Sequence, residues 1–168
     1  DLYILDLGLH LDNYVRVSED DDLNYRISKK LLTQEQAIPD ISVIDAEQVR
    51  AVLISHAHLD HVGAVPFLAN SFSCDIYGTP FTMALARRLA EDKRAELRNE
   101  LVDCPFGQVK RLSEKVSVEF IEVTHSTPQS AAIALHTPYG VVLYINDFKL
   151  DPTPTLGNPT DFARLEAL

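Results

Sequence analysis

A short apolar run that leads directly into a cluster of histidines and aspartates constrains this sequence more than any other feature. Residues 51–54 read Ala-Val-Leu-Ile, which is typical of a strand buried on both faces of a sheet. The chain continues at once into residues 55–61, Ser-His-Ala-His-Leu-Asp-His, and this stretch contains four potential metal ligands, His56, His58, Asp60 and His61. The sequence therefore predicts a buried strand whose carboxyl end carries a polar site.

Two later strands are predicted to end in the same way. Residues 116–123 alternate between apolar and polar side chains and lead to His125, whereas residues 141–145 are apolar and lead to Asp147. Residues 131–135 and 141–145 flank residues 137–140, Thr-Pro-Tyr-Gly, whose composition is typical of a hairpin turn. Because α/β folds commonly build their sites beyond the carboxyl ends of strands, we predict a layered α/β fold in which these strand ends meet.

Local patterns predict further elements around these strands. Strands are predicted at residues 3–7 and 76–78, and a short helix is predicted at residues 62–69, where Gly63 allows close packing. The acidic stretch at residues 18–22 is predicted to be a solvated loop, because it lacks the spaced carboxylates and the glycine of a calcium loop.

Two helices are predicted from their first residues. Pro80 fits the first turn of a long helix that reaches about Leu101, since the missing N–H of proline costs nothing there. The spacing predicts an inner face formed by Phe81, Leu85 and Leu89, with the basic side chains mostly facing outward. Asp161 is the predicted cap of a final helix.

The chemistry of the clustered side chains points to metal ions. Neutral imidazole is a preferred ligand of zinc and related metals, and carboxylate joins it readily. In extended chain His56 and His58 point the same way and can hold one ion together, while Asp60 and His61 can face a neighbouring ion. Asp147 has two oxygens and is therefore suited to bridge two ions. A packed core would not accommodate so many polar groups without a partner to satisfy them. The two isolated histidines, His10 and His136, are instead interpreted as structural residues.

Composition limits the other classes of function. A chain of 168 residues fits one domain, and its formal net charge of −10 does not favour broad electrostatic capture of nucleic acid. No apolar run approaches the roughly 18 residues of a membrane span. Cys74 and Cys104 are isolated thiols, which are more typical of a reducing cytoplasm than of a disulfide-bonded protein.

The motifs resemble those of one known family. The run from His56 to His61 matches the HxHxDH signature of the metallo-β-lactamase superfamily, and His125 and Asp147 match its next two ligand motifs in order. The surrounding segments at residues 55–66, 124–130 and 146–151 resemble the ribonuclease J family of the β-CASP branch, and the likeness covers nearly the whole chain from position 3. Asn146 makes the chain look more like an archaeal member, because bacterial members usually have glycine at this position. At position 129 the chain has glutamine, whereas many relatives have an acidic residue.

This resemblance implies an αββα sandwich, of which residues 1–168 form the first part only. It implies that the β-CASP insert and the remainder of the domain, including a further histidine ligand, are absent. His56, His58 and His125 would hold the first of two divalent ions. Asp60, His61 and Asp147 would hold the second and serve in catalysis, with Asp147 bridging. Zinc is the expected metal, with manganese as the alternative.

The implied activity is hydrolysis of single-stranded RNA in the cytoplasm, as a 5′→3′ exonuclease with endonuclease action as a second mode. The full-length enzyme could form a homodimer, and the fragment alone is expected to be inactive. Ser126, Ser130 and Lys149 are candidate substrate-binding residues. For the two serines a structural role at a strand end is an equal alternative, and for Lys149 a solvated or paired lysine is the commoner case.

Two other functions stay open at this point. A small-molecule thioester or lactone hydrolase can use the same scaffold, and it needs no inserted domain. A non-catalytic β-CASP interaction protein is the second alternative, although intact residues at all six ligand positions count against it.

Overall fold

The computed structural model describes residues 1–19 and 27–168, and within them the strands form two four-stranded sheets. The first sheet is parallel and contains, in spatial order, β1 (Leu2–Leu5), β2 (Val49–Ile54), β3 (Ile76–Gly78) and β4 (Leu101–Asp103). The second is antiparallel and contains β5 (Val109–Arg111), β6 (Ser117–Glu122), β7 (Ala131–Thr137) and β8 (Gly140–Tyr144).

Helices lie on the outer faces of both sheets. The helices of the described residues are α1 (Leu11–Glu19), α2 (Lys29–Gln34), α3 (Leu59–Val62), α4 (Val65–Leu68), α5 (Pro80–Asp92) and α6 (Phe162–Glu166). Short 3-10 turns occupy Ile41–Val43, Ala46–Gln48 and Ala69–Ser71. No helix within the described residues has both the length and the apolar character needed to cross a membrane.

The core is arranged in layers because each strand alternates its side chains. On β2, Val52 and Ile54 pack with the helices α1 to α5, whereas Ala51 and Leu53 pack between the two sheets against residues such as Phe120. The outer face of the second sheet packs against Leu165 and Leu168 at the end of α6. The layers are therefore helix, sheet, sheet and helix, which confirms the predicted αββα sandwich.

The final helix is held to its sheet by charge as well as by apolar contacts. Asp161 accepts a hydrogen bond from the Arg164 backbone N–H, so the predicted cap is confirmed. The Arg164 guanidinium also donates two hydrogen bonds, of 2.7 and 2.8 Å, to the buried Glu119 carboxylate. This ion pair lowers the pKa of Glu119 below its ordinary value.

The prediction of a long helix from Pro80 to about Leu101 is wrong about the length of the helix and about which residues form its buried face. It ends at Asp92, and Arg94 has a φ of +52°, a left-handed conformation that stops a helix. Residues after it return to the sheet as β4. Phe81 is exposed, Leu85 and Leu89 are half-buried, and the fully buried positions are Thr82, Met83, Ala86 and Ala90. The basic side chains do face outward as predicted.

The other predicted elements need smaller corrections. The helix predicted at residues 62–69 is two short helices, α3 and α4, and the first already begins inside the histidine motif. A Cβ on Gly63 would lie 2.7 Å from the Leu9 side chain, so close packing at this glycine is confirmed. Of the acidic stretch predicted as a loop, Ser18 and Glu19 belong to α1, and positions 20–22 lie outside the described residues.

Candidate metal centre

Three strand ends come together at one edge of the sandwich. Residues 55–61 follow β2 in the first sheet, and His125 and Asp147 follow β6 and β8 in the second. The two sheets are joined there by a hydrogen bond of 3.0 Å from the Ala131 N–H to the Ser55 carbonyl. The end of β1 also approaches closely, because a Cβ on Gly8 would lie only 1.6 Å from the Asp60 carbonyl oxygen. Glycine is therefore required at this contact.

Three imidazoles and one carboxylate form the first ligand group, His56, His58, His125 and Asp147. The His58 Nδ1 lies 3.1 Å from the His56 Nε2 and 3.0 Å from the His125 Nε2. An oxygen of Asp147 lies 3.9 Å from the His56 Nε2 and 3.7 Å from the His125 Nε2. His56 is only 1% exposed, so this group is set into the protein.

The second ligand group contains Asp60, His61 and again Asp147. The His61 Nε2 lies 3.7 Å from an Asp60 oxygen and 3.6 Å from an Asp147 oxygen. The Asp60 side chain is 48% exposed and that of Asp147 is 42% exposed, so this group opens to solvent. The structure thus brings the six predicted ligand residues together in two groups that share Asp147.

The donor set fits a divalent transition metal. Ligand atoms held about 2.0–2.1 Å from a tetrahedral zinc ion lie about 3.3 Å from one another. The ring nitrogens and carboxylate oxygens of each group lie within 4.8 Å of one another, so small adjustments would bring them to that spacing. Two of the rings are also oriented from behind, since the His56 Nδ1 lies 3.0 Å from the Ser55 hydroxyl and the His61 Nδ1 lies 2.8 Å from Asp6.

Asp6 is the functional residue that the sequence interpretation missed. It accepts hydrogen bonds from the Ser55 N–H at 2.7 Å, the Ser55 hydroxyl at 2.8 Å, the His61 ring at 2.8 Å and the Tyr144 hydroxyl at 2.9 Å. Its φ of +65° ends β1 after Leu5 and turns the carboxylate toward the site. The available signal was one charged residue inside the apolar run at residues 3–7.

The electrostatic environment differs from one histidine to the next. Burial and the nearby imidazoles of His61 and His125 lower the pKa of His56 to about 4, so its ring is neutral and its lone pair is free to bind a metal. Burial and the neighbouring His58 lower the pKa of His125 as well. Burial also disfavours the charged form of His61, but the hydrogen bond and charge of Asp6 outweigh it, and the pKa of His61 is raised.

The predicted substrate-binding residues are placed differently. The Ser126 hydroxyl lies 3.3 Å from the His58 Nε2, at the first group. Ser130 is buried, and its hydroxyl donates to the Thr127 carbonyl, so it supports the turn after His125. Lys149 is exposed, and its positive charge helps to lower the pKa of His125.

Residues outside the two ligand groups have structural contacts. His10 lies at the start of α1, where its ring accepts the Asn13 N–H, and His136 lies 3.2 Å from Glu119. The Gln129 side chain accepts the Phe81 N–H at the start of α5, a contact that its amide oxygen makes without needing a charge. Cys74 and Cys104 do not form a disulfide.

Comparison with known proteins places this arrangement in a family. A sequence model of the Metallo-beta-lactamase superfamily matches residues 28–164, which is most of the chain. The chain belongs to this superfamily. The solved structure of Zn(2+)-bound PqqB from Methylobacterium extorquens shares the fold, with a TM-score of 0.50 and 15% identity over 60% of this chain and 39% of that one.

Within the superfamily the chain is similar to proteins named Ribonuclease J. It is 38% identical to Ribonuclease J of Methanocaldococcus jannaschii over 99% of this chain and 37% of that protein. It is also 38% identical to Ribonuclease J of Pyrococcus abyssi over 100% of this chain and 37% of that protein. Ribonuclease J 1 of Streptococcus pyogenes is 38% identical over 82% of this chain and 25% of that protein. The likeness to ribonuclease J is thus confirmed, and the chain spans little more than a third of these archaeal relatives.

Proposed function

We propose that this chain carries the metal centre of a two-metal phosphodiesterase that hydrolyses RNA. The observation that carries the proposal is that Asp147 belongs to both ligand groups, as a carboxylate shared by two ions would. The similarity to proteins named Ribonuclease J supports RNA as the substrate.

Each ligand has a distinct part in this proposal. His56, His58 and His125 would hold one ion, Asp60 and His61 would hold the other, and Asp147 would serve both. Zinc is the expected metal because imidazole predominates, and manganese is the alternative. When bound, a pair of such ions lowers the pKa of water and offsets the negative charge that develops on phosphate oxygens.

The remaining chemistry belongs to the side chains at the open mouth of the site. Asp60 presents a half-exposed carboxylate that can orient the attacking water and accept a proton from it. Asp6 holds the His61 ring in place by its hydrogen bond to Nδ1. The Ser126 hydroxyl, beside His58, can donate to a phosphate oxygen, and exposed Lys149 can pair with the phosphate charge.

We further propose that residues 1–168 are the N-terminal portion of a longer metallo-β-lactamase domain. Strand β8 has a neighbour on one side only within the described residues, although Val141, Val142 and Leu143 are exposed by 37%, 54% and 41%. An apolar edge of this kind is a template for another strand. The remaining chain would cover this edge, supply a further histidine and, with a β-CASP insert, form the RNA channel.

The acidic balance of this portion is consistent with that division of roles. Its formal net charge is −10, so the RNA strand would be held largely by other parts of the protein, with the metal centre attracting the phosphate locally. We propose 5′→3′ exonuclease action on single-stranded RNA, with endonuclease action as a second mode, in a cytoplasmic enzyme that can form a homodimer.

The test uses the full-length protein and a single-stranded RNA labelled at its 5′ end. We expect His58→Ala to abolish chelator-sensitive cleavage while His10→Ala, which replaces a histidine outside both groups, cleaves like the wild type. RNA turnover by His58→Ala within tenfold of the wild type would contradict the proposal. Hydrolysis of a thioester or lactone by a wild type that leaves RNA intact would instead favour a small-molecule hydrolase.

A further inference from the structure

Two buried threonines meet beside the metal centre, just beyond the end of β6. Thr124 is 3% exposed and Thr160 is 6% exposed, and neither belongs to a ligand group. Thr124 directly precedes His125, and Thr160 lies just before α6, 36 residues further along the chain. Buried polar side chains are unfavourable unless hydrogen bonds satisfy them, so their partners indicate what they do.

Thr124 is held at three of its atoms. Its N–H donates to the Thr160 Oγ1 at 3.0 Å, and its hydroxyl donates to the Asn158 carbonyl at 3.2 Å. Its carbonyl accepts the Lys149 N–H at 2.7 Å. The residue before His125 therefore cannot shift without breaking at least one of these bonds.

The contact with Lys149 ties two ligand-bearing strand ends together. Lys149 is two residues after Asp147, which follows β8, whereas Thr124 follows β6. These strands are not neighbours in the sheet, because β7 lies between them. The Thr124–Lys149 bond thus links the backbone beside His125 to the backbone near Asp147, and Thr160 holds the N–H of the same Thr124.

We propose that Thr160, acting through Thr124, is a positioning residue for the ligands His125 and Asp147. This inference rests on the proposed metal centre. Without the Thr160 hydroxyl, the Thr124 N–H would be buried with no acceptor, and the backbone before His125 would move to satisfy it. Metal affinity depends on such supporting contacts because they hold the ligands in the geometry that the ion requires.

Zinc binding by the full-length protein tests the proposal. We expect Thr160→Val, which keeps the size of the side chain but removes the acceptor, to weaken zinc binding about tenfold or more in a competition titration. Thr160→Ser keeps the hydroxyl and should bind zinc within twofold of the wild type. Thermal unfolding of each metal-free variant, followed in parallel, reports on the fold.

Arg164→Met is the matched control on the same segment. It removes the ion pair with Glu119 and should lower the unfolding temperature, but it leaves Thr124 and Thr160 in contact. Its zinc affinity should therefore stay within twofold of the wild type. If the segment had only a structural role, zinc affinity would fall in this variant as well.

Three results would overturn the proposal. One is zinc binding by Thr160→Val within twofold of the wild type, and another is an equal loss of affinity in Arg164→Met. If Thr160→Val does not fold, Thr124→Val replaces it and is judged by the same zinc-binding criterion. This variant removes the Thr124 hydroxyl, which donates to the Asn158 carbonyl at 3.2 Å and accepts from the Thr160 hydroxyl at 3.5 Å. Failure of both to fold would assign the pair to folding instead. A wild type that binds no zinc would reject the metal centre itself, and this outcome is distinct from the other three.

Discussion

The two ligand groups share one carboxylate but differ in how far the chain encloses them. The first contains three imidazoles drawn from both sheets, with His56 only 1% exposed and the rings of His56, His58 and His125 4.7–4.9 Å apart. The second has one imidazole, His61, and its Asp60 side chain is 48% exposed. Closed, ligand-rich sites hold metals firmly, whereas catalytic sites keep a position open. We therefore propose that the first group retains an ion and that the second admits water and substrate.

The largest expected effect comes from removing the residue that the groups share. We expect Asp147→Ala in the full-length protein to lower RNA cleavage by about a thousandfold or more, because both ions lose a ligand and the paired arrangement is lost. The half-exposed side chain makes few structural contacts, so the unfolding temperature of the metal-free protein should change little. Cleavage of labelled RNA within tenfold of the wild type would show that Asp147 is not shared in function.

The pH dependence of stability should differ in sign between the two groups. His56, with a pKa of about 4, is neutral in the folded protein but titrates near 6.5 when unfolded, so the unfolded state binds more protons between these values. The stability of the metal-free protein should fall by about 3 kcal/mol from this residue as the pH drops from 6.5 to 4. His61, whose pKa is raised, contributes stability below pH 6.5 that is lost as the pH rises through its folded pKa.

Denaturant unfolding at several pH values measures both contributions. His56→Gln should flatten the acid limb of the stability profile, and His61→Gln should flatten the opposite limb. Identical stability profiles for the two variants would show that the two ligand groups do not differ in their electrostatics.

Residues 1–168 expressed alone should separate the groups directly. We propose that the first group is complete within residues 1–168, whereas the second needs a further histidine from outside them. We expect one tightly bound zinc ion, a second bound about 100-fold more weakly, and no degradation of RNA. The exposed apolar edge of β8 should also make this piece prone to aggregate. Two tightly bound ions with processive, chelator-sensitive RNA decay would mean that the functional unit is already complete.

The smallest expected effect comes from changing Asp6, whose carboxylate contacts the His61 ring of the second group. Asp6→Asn removes the charge that holds the His61 ring and should weaken binding of the second ion about tenfold. Binding of the first ion should weaken less, because Asp6 reaches His56 only through the Ser55 hydroxyl. Tyr144→Phe, which removes only one of the four hydrogen bonds to Asp6, should cost less. A zinc titration that resolves the two ions measures both variants, and equal weakening of the two would contradict separate support.

The parts of this molecule that the sequence predicts best are those with local signals. An apolar run followed by ligand residues predicts both the strand and the place of its polar end, as at His56, His125 and Asp147. Asp6 has only a weak local signal, a single charge within an apolar run, and its importance comes from partners as distant in sequence as Tyr144.

The incorrect helix boundary has a similar cause. Residues 93–100 are rich in good helix formers, but the Asn99 side chain donates to the Phe72 and Cys74 carbonyls, and this tertiary contact directs the chain into β4. Strands of three residues such as β4 and β5 are too short to show a periodicity of their own.

Anomalous diffraction from zinc-loaded crystals of the full-length protein tests the shared-carboxylate centre most directly. We predict two anomalous peaks a few ångströms apart, one contacted by His56, His58 and His125 and the other by Asp60 and His61. Asp147 should place an oxygen on each. A single peak, or two peaks of which Asp147 contacts only one, would contradict this prediction.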